Sequence, residues 1–292
     1  MLGALGFVAV YVLLVGAASF FEAPLGASFN PFQLNALIRA GSLAAALAAD
    51  LAGDGVRLPP LAGILAALGV GLISGLGSIC YCLSLESMSV ALVVTLANLY
   101  LVVTIVLGVV FLHDPLTALS IAGLVCTLAG MLILVHPPAK YGVHPPPRSV
   151  AKPASVRAMA AMGLYILLVG AAAFLEKPIL GGMDATQLNA LLSIAMTAVA
   201  GVALAVMGPS LAMTNRALTG IGLGAMIGVG SVFYFLGLGG LPVSVASALS
   251  NASMAVTVIL SAIVPRQPLT RMRGGAMALM LAGVSLLAFS PG

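Results

Sequence analysis

Ten stretches of apolar side chains, each roughly 18–25 residues long, alternate along the chain with short polar segments. They run over 3–24, 31–49, 60–83, 88–112, 116–136, 157–175, 185–207, 217–238, 243–264 and 271–289. As helices rising 1.5 Å per residue, stretches of this length cross a hydrocarbon core of about 30 Å. Leu, Ala, Val and Gly dominate them, and no strict apolar/polar alternation is sustained. The pattern therefore predicts transmembrane helices rather than the strands of a membrane barrel. The first stretch is longer than a typical signal core, has no basic residue ahead of it and has a copy in the second half, so it is expected to persist as a span.

That copy is part of a larger repeat. Tyr11-Val-Leu-Leu-Val-Gly-Ala-Ala returns as Tyr165-Ile-Leu-Leu-Val-Gly-Ala-Ala, an offset of 154. The same offset carries Glu22 onto Glu176, Pro24 onto Pro178, and the pentapeptide Gln-Leu-Asn-Ala-Leu at 33–37 onto 187–191. Further along, an offset of 153 aligns Ser78 with Ser231, Tyr81 with Tyr234, Asn98 with Asn251 and Thr104 with Thr257. Two homologous halves are the simplest reading: a five-helix repeat over 1–136, a linker rich in Pro and basic residues over 137–156, and a second five-helix repeat over 157–292. Five is odd, so the second copy enters the membrane from the opposite side. The expected fold class is an all-α integral membrane protein of ten transmembrane helices in two inverted repeats, an arrangement common in secondary transporters, with the substrate path between the copies.

Composition removes a soluble domain from consideration: 62% of the 292 residues are hydrophobic, 6% are charged and the mean hydropathy is +1.22. Cys80, Cys82 and Cys126 lie inside apolar stretches without metal-type spacing, so they read as small buried residues, and no metal or other cofactor is expected. Loops after odd-numbered spans carry Lys140, Arg148, Lys152, Arg157, Arg216, Arg266, Arg271 and Arg273; those after even-numbered spans carry Arg57 and Lys177. By the positive-inside rule the linker is then cytoplasmic and both termini face outward, in the cell (inner) membrane.

With the five-plus-five duplication, the span-two segment "LNALIRAG" containing Arg39 and the run "ANLYLVVTIVLGVVFLHDPLT" from Ala97 to Thr117 resemble the EamA-like branch of the drug/metabolite transporter superfamily, across essentially the whole chain. The resemblance implies a transporter of small metabolites, amino acids or amphipathic drugs working by alternating access. It also implies termini inside the cell, against the charge count. Family members often carry a Gly-Glu pair in the turn after the fourth span, where this chain has His113-Asp114 and, in the second half, Arg266-Gln267.

Polar residues inside the apolar stretches are the candidates for chemistry. Arg39 sits eight residues past Pro31, about 12 Å along its helix and near the midplane. An arginine there costs on the order of 2.5–3.5 kcal/mol, so a role in substrate binding or gating is expected, through a forked grip on a carboxylate or phosphate; a structural ion pair, with Glu22 as the natural partner, or a snorkelling side chain is the alternative. Asn35 lies one turn before Arg39 on the same face, as Asn189 does before Ser193, while Gln33 is expected to cap the helix entrance. Ser78 and Tyr81 on span three, Asn98 on span four, and Tyr234 and Asn251 in the second half extend the candidate pathway. The competing reading is hydroxyls and amides bonded back to helix carbonyls or across helices. Glu22 and Glu176, each two residues before a proline expected to end or bend its helix, are the candidate coupling carboxylates for protons. Gly71-xxx-Gly75 and Gly224-xxx-Gly228 predict close helix crossings, within one chain or in a homodimer.

A secondary transporter for a small-molecule substrate is the leading expectation. No P-loop suggests ATP use, and neither an enzymatic activity nor a nucleic-acid partner is implied. The runner-up is a membrane-embedded enzyme or flippase acting on a lipid-linked substrate. It lacks a nucleophile or metal cluster at depth: His113, His136 and His144 fall at span ends or in the linker, without HExxH or GxSxG signatures.

Overall fold

The computed structural model describes residues 2–53, 59–88, 90–114, 117–135, 155–264 and 271–288. The linker up to residue 154, with Lys140, Arg148 and Lys152, lies outside the described residues, as do Arg57, Arg266, Gln267, His136 and His144. Every regular element among the described residues is helical: α1 (Leu2–Leu25), α2 (Pro31–Leu51), α3 (Leu61–Leu85), α4 (Val90–Ala97), α5 (Tyr100–Phe111), α6 (Ala118–Val135), α7 (Val156–Leu180), α8 (Ala185–Met207), α9 (Asn215–Gly239), α10 (Val243–Ser250), α11 (Ser253–Ile263) and α12 (Arg271–Ala288). Among the described residues, seven segments are long and apolar enough to cross a membrane: Leu2–Glu22 of α1, then α2, α3, α7, α8, α9 and the run Val243–Ser261. The other expected spans are represented by shorter apolar helices over Tyr100–Phe111, Ala118–Gly130 and Gly274–Leu287.

Local sequence explains where the helices start and stop. The Gln-Leu-Asn-Ala-Leu repeat opens α2 and α8 in the same way. Asn30 caps α2, its Oδ1 accepting from Gln33 N–H at 2.8 Å, while Gln33 Oε1 accepts from Asn30 N–H at 3.1 Å. Asp184 and Gln187 form the equivalent box at α8. The two glutamines thus serve helix entrances. Pro24 and Pro178 lie inside their helices, which continue to Leu25 and Leu180. Each proline lacks the N–H that would bond four residues back, and each helix ends within two residues of it, as a helix-ending proline is expected to do.

The fourth apolar stretch is broken between α4 and α5 at Asn98-Leu99, and the ninth between α10 and α11 at Asn251-Ala252. In each case the asparagine amide donates to the carbonyl four residues back: Asn98 Nδ2 to Val94 O at 2.7 Å, and Asn251 Nδ2 to Ser247 O at 3.1 Å. Around both sites the backbone tightens to bonds three residues apart, Leu99 to Leu96 and Ala252 to Leu249 among them. The side chain competes for a carbonyl that the helix would otherwise use, and the ladder shifts register. His113, just past α5, has φ 53°, in the left-handed region that favours glycine. This is the place where the family resemblance expects glycine.

Helices pack mainly across the two halves of the chain. α2 lies against α9 and α8, α3 against α7 and α8, α1 against α9 and α11, and α6 against α12. The tightest crossing joins α2 and α9. A Cβ placed on Gly224 would fall 2.1 Å from the Ile38 carbonyl oxygen, and one on Gly41 1.9 Å from that of Ile221. Ser42 Oγ donates to Gly224 O at 2.9 Å across the same seam. Corresponding positions make corresponding contacts: Thr104 Oγ1 donates to Gly170 O at 3.0 Å, and Thr257 Oγ1 to Gly16 O at 2.9 Å. The glycine spacing expected to bring helices close acts within the chain.

Candidate functional site

Two polar cavities lie among these helices. The larger, about 390 Å³, is walled by Glu22, Asn35, Arg39, Ser78, Tyr81, Asn98 and Tyr165, with apolar side chains of α2, α3 and α4. The smaller, about 240 Å³, is walled by Tyr11, Arg39, Ser78, Tyr165, Glu176, Asn189, Ser193, Ser231 and Tyr234 among others. Arg39, Ser78, Tyr165 and Ile227 belong to both walls. The repeat offsets map much of one cavity onto the other: Glu22, Asn35, Ser78 and Tyr81 correspond to Glu176, Asn189, Ser231 and Tyr234. The chemical exception is Arg39, whose counterpart is Ser193.

Arg39 reaches this partition from the middle of α2. Its backbone carbonyl accepts from Thr197 Oγ1 at 3.0 Å, which fixes α2 against α8. Its guanidinium is poorly matched. Nη1 approaches Met196 Sδ at 3.7 Å, and Nε is buried without a hydrogen-bond partner. A guanidinium carries five N–H donors, and a thioether is a weak acceptor for any of them. Leaving such a donor unmet is costly in an apolar surround, by more than the roughly 1–3 kcal/mol of a neutral group. Glu22 shares the larger cavity and Glu176 the smaller, yet among the described residues neither forms an ion pair with Arg39. The structural ion pair with Glu22 left open by the sequence is therefore not formed in this conformation.

Around the arginine, aromatic pairs bridge the halves. Tyr81 and Tyr165 have ring centroids 5.5 Å apart, and Tyr11 and Tyr234 repeat the arrangement at 5.3 Å. Asn35 Nδ2 donates to Ser78 Oγ at 3.2 Å, and Ser78 Oγ donates to Gly75 O at 2.7 Å. Asn189 Nδ2 donates to Gly228 O at 3.0 Å, so this amide spans helices while lining the smaller cavity. Tyr234 OH and Ser247 Oγ are 3.4 Å apart. Asn98 faces the larger cavity although its amide is bonded to Val94 O. Asn251, expected in the pathway, lines neither cavity; it is buried, with its amide turned onto its own helix. Tyr11, Tyr165, Tyr100 and Met196 join the site without having been expected from the sequence. Tyr11 and Tyr165 open the repeated octapeptide, so their signal was present; Met196 stands at the position corresponding to Ser42 and carried none.

This arrangement places a cation, two carboxylates, phenols and amides around partly open volumes large enough for a small polar organic molecule. An all-helical bundle of apolar spans enclosing such cavities defines a multi-pass membrane protein. Residues 2–136 match the model of the EamA-like transporter family, part of the drug/metabolite transporter superfamily. The fold is similar to that of a solved protein crystal structure, with a TM-score of 0.80 over 97% of this chain and 95% of that chain. At 19% sequence identity the likeness is one of fold alone. No curated protein matches the chain in sequence.

Proposed function

We propose that the protein is a secondary active transporter that moves a small metabolite, amino acid or amphipathic drug by alternating access. The observation that carries this reading is Arg39, a half-buried cation whose buried Nε donor is unmet, in the wall common to two cavities. A solute bound there touches the same guanidinium from either cavity, which is what a site exposed alternately to the two sides of a membrane requires. Its forked donors suit a carboxylate or phosphate on the solute. Asn35, Ser78, Tyr81 and Asn98 serve the larger cavity, and Asn189 and Tyr234 the smaller.

Two inverted five-helix repeats, 1–136 and 157–292, supply the moving parts. Support comes from the matched contacts of Thr104 with Gly170 and of Thr257 with Gly16. Glu22 and Glu176, one per cavity, are the candidate carriers of a coupling proton. The protein resides in the inner membrane with its linker in the cytoplasm, as a monomer or homodimer.

The test begins with thermal-shift competition among metabolites and drugs to find a stabilising solute. Its uptake is then measured in proteoliposomes with and without a pH gradient. Arg39→Ala is expected to lower uptake at least 100-fold while leaving a monodisperse protein. Unchanged uptake by that variant would remove Arg39 from the site, and uptake indifferent to the gradient would remove proton coupling.

A further inference from the structure

The turn joining α9 to α10 is held from both sides, by Lys177 of α7 and by Asp114, which follows α5. Lys177, in the last turn of α7, donates from Nζ to the carbonyl oxygens of Leu238, of Gly239 at 3.2 Å and of Leu241 at 3.0 Å. A cation thus meets the carbonyl end of α9, where the helix dipole favours it. On the other side of the turn, Asp114 Oδ2 accepts from both the N–H of Ser244 at 3.0 Å and its hydroxyl at 2.9 Å, in the first turn of α10. An anion thus meets the N–H end of α10.

This cluster lies at one end of the smaller cavity. Along α7 the cavity wall runs through Tyr165, Val169, Ala173 and Glu176, stopping one residue short of Lys177. Along α9 its last members are Tyr234 and Phe235, three residues short of Leu238. The repeat offsets make the cluster one-sided. Lys177 corresponds to Ala23, Ser244 to Ala91 and Asp114 to Gln267, so the matching positions in the sequence carry no charge.

We propose that Lys177, Asp114 and Ser244 form a latch across the α9–α10 turn, keeping the smaller cavity closed at that end, and that transport requires its release. The latch rests on the alternating-access reading above. It biases a two-state equilibrium rather than locking it, because each of its bonds is charge-assisted but exchangeable for water once the turn moves. Because the sequence counterparts of these three residues are uncharged, the latch favours the state with the smaller cavity shut at rest. Lys177 and Asp114 are positioning residues in this scheme and touch no solute.

Cysteine accessibility tests the latch without any substrate. In protein reconstituted into liposomes, with Cys80, Cys82 and Cys126 replaced by alanine, one reporter is Ala173→Cys in the smaller cavity. A second protein carries Val94→Cys in the larger one. Lys177→Met is expected to raise alkylation of the first reporter by an impermeant thiol reagent about tenfold and to slow the second, while Lys177→Arg keeps the parent rates. An unchanged first reporter overturns the latch, and so does equal acceleration of both, which would mean general loosening. Should Lys177→Met fail to insert, Ser244→Val, which removes one of the two bonds to Asp114, is read in the same way. Absence of solute flux in every variant would sink the proposed function and leave this readout intact.

Discussion

At His113 a single backbone angle can be examined in isolation. Its φ of 53° is one that L-residues adopt at a cost of about 1–2 kcal/mol and glycine adopts freely. The side chain is exposed, so replacing it sacrifices no packing. His113→Gly is expected to hold or raise the thermal midpoint, whereas His113→Val, β-branched and disfavoured in this region, should destabilise by about 1–2 kcal/mol relative to it. A lower midpoint for the glycine variant than for the valine variant would refute the argument. The sequence made the position legible only through resemblance, as a departure from Gly-Glu. The geometry gives that departure a meaning, since the backbone kept glycine's conformation and Asp114 kept an acidic group that now binds Ser244. Arg39 was legible from its depth alone. Its lack of an ion pair was not, because no one-dimensional pattern places Glu22 relative to a guanidinium on another helix.

Helix pairs respond to change at named crossings. Gly224→Ala would drive a methyl group to within 2.1 Å of the Ile38 carbonyl, a backbone atom that cannot rotate away. We expect α2 and α9 to be forced apart at a cost of about 1–3 kcal/mol. On the same helix a Cβ added at Gly222 would meet nothing within 4 Å, so Gly222→Ala should be neutral or mildly stabilising. Thermal unfolding of the two variants in one detergent distinguishes a crossing effect from a generic loss of glycine; equal midpoints would contradict it. The glycine spacing was readable beforehand because it repeats at an offset of 153. The breaks after α4 and α10 were not, since a lone asparagine in an apolar run looks the same whether it faces a pathway or bonds to its own backbone. Asn98 does both and Asn251 only the second.

For the molecule as a whole, four polar positions of the two cavities correspond, Glu22 with Glu176, Asn35 with Asn189, Ser78 with Ser231 and Tyr81 with Tyr234, while Arg39 meets Ser193. If the halves are functionally interchangeable, Arg39→Ser should abolish uptake, and adding Ser193→Arg should restore a measurable part of it by placing the cation in the equivalent wall. No recovery in a correctly inserted double variant would mean that the cavities have diverged beyond this pair. The repeated octapeptide and pentapeptide, from which a duplication is expected, were legible in the sequence. How the halves interleave was not, because periodicity gives each helix an apolar face but no partner for it. That interleaving also has a consequence in time. The face of α2 around Gly41 finds its partner only when Gly224 has been made, 183 residues later in the chain. At about 5–20 residues per second, synthesis leaves the seam of α2, and Arg39 within it, unmatched for roughly 10–40 s. During that interval Arg39 can have Glu22, Asn35, Ser78 and Tyr81 of its own half beside it but not Met196 or Thr197, so this helix must carry its charge into the membrane before its final partners exist.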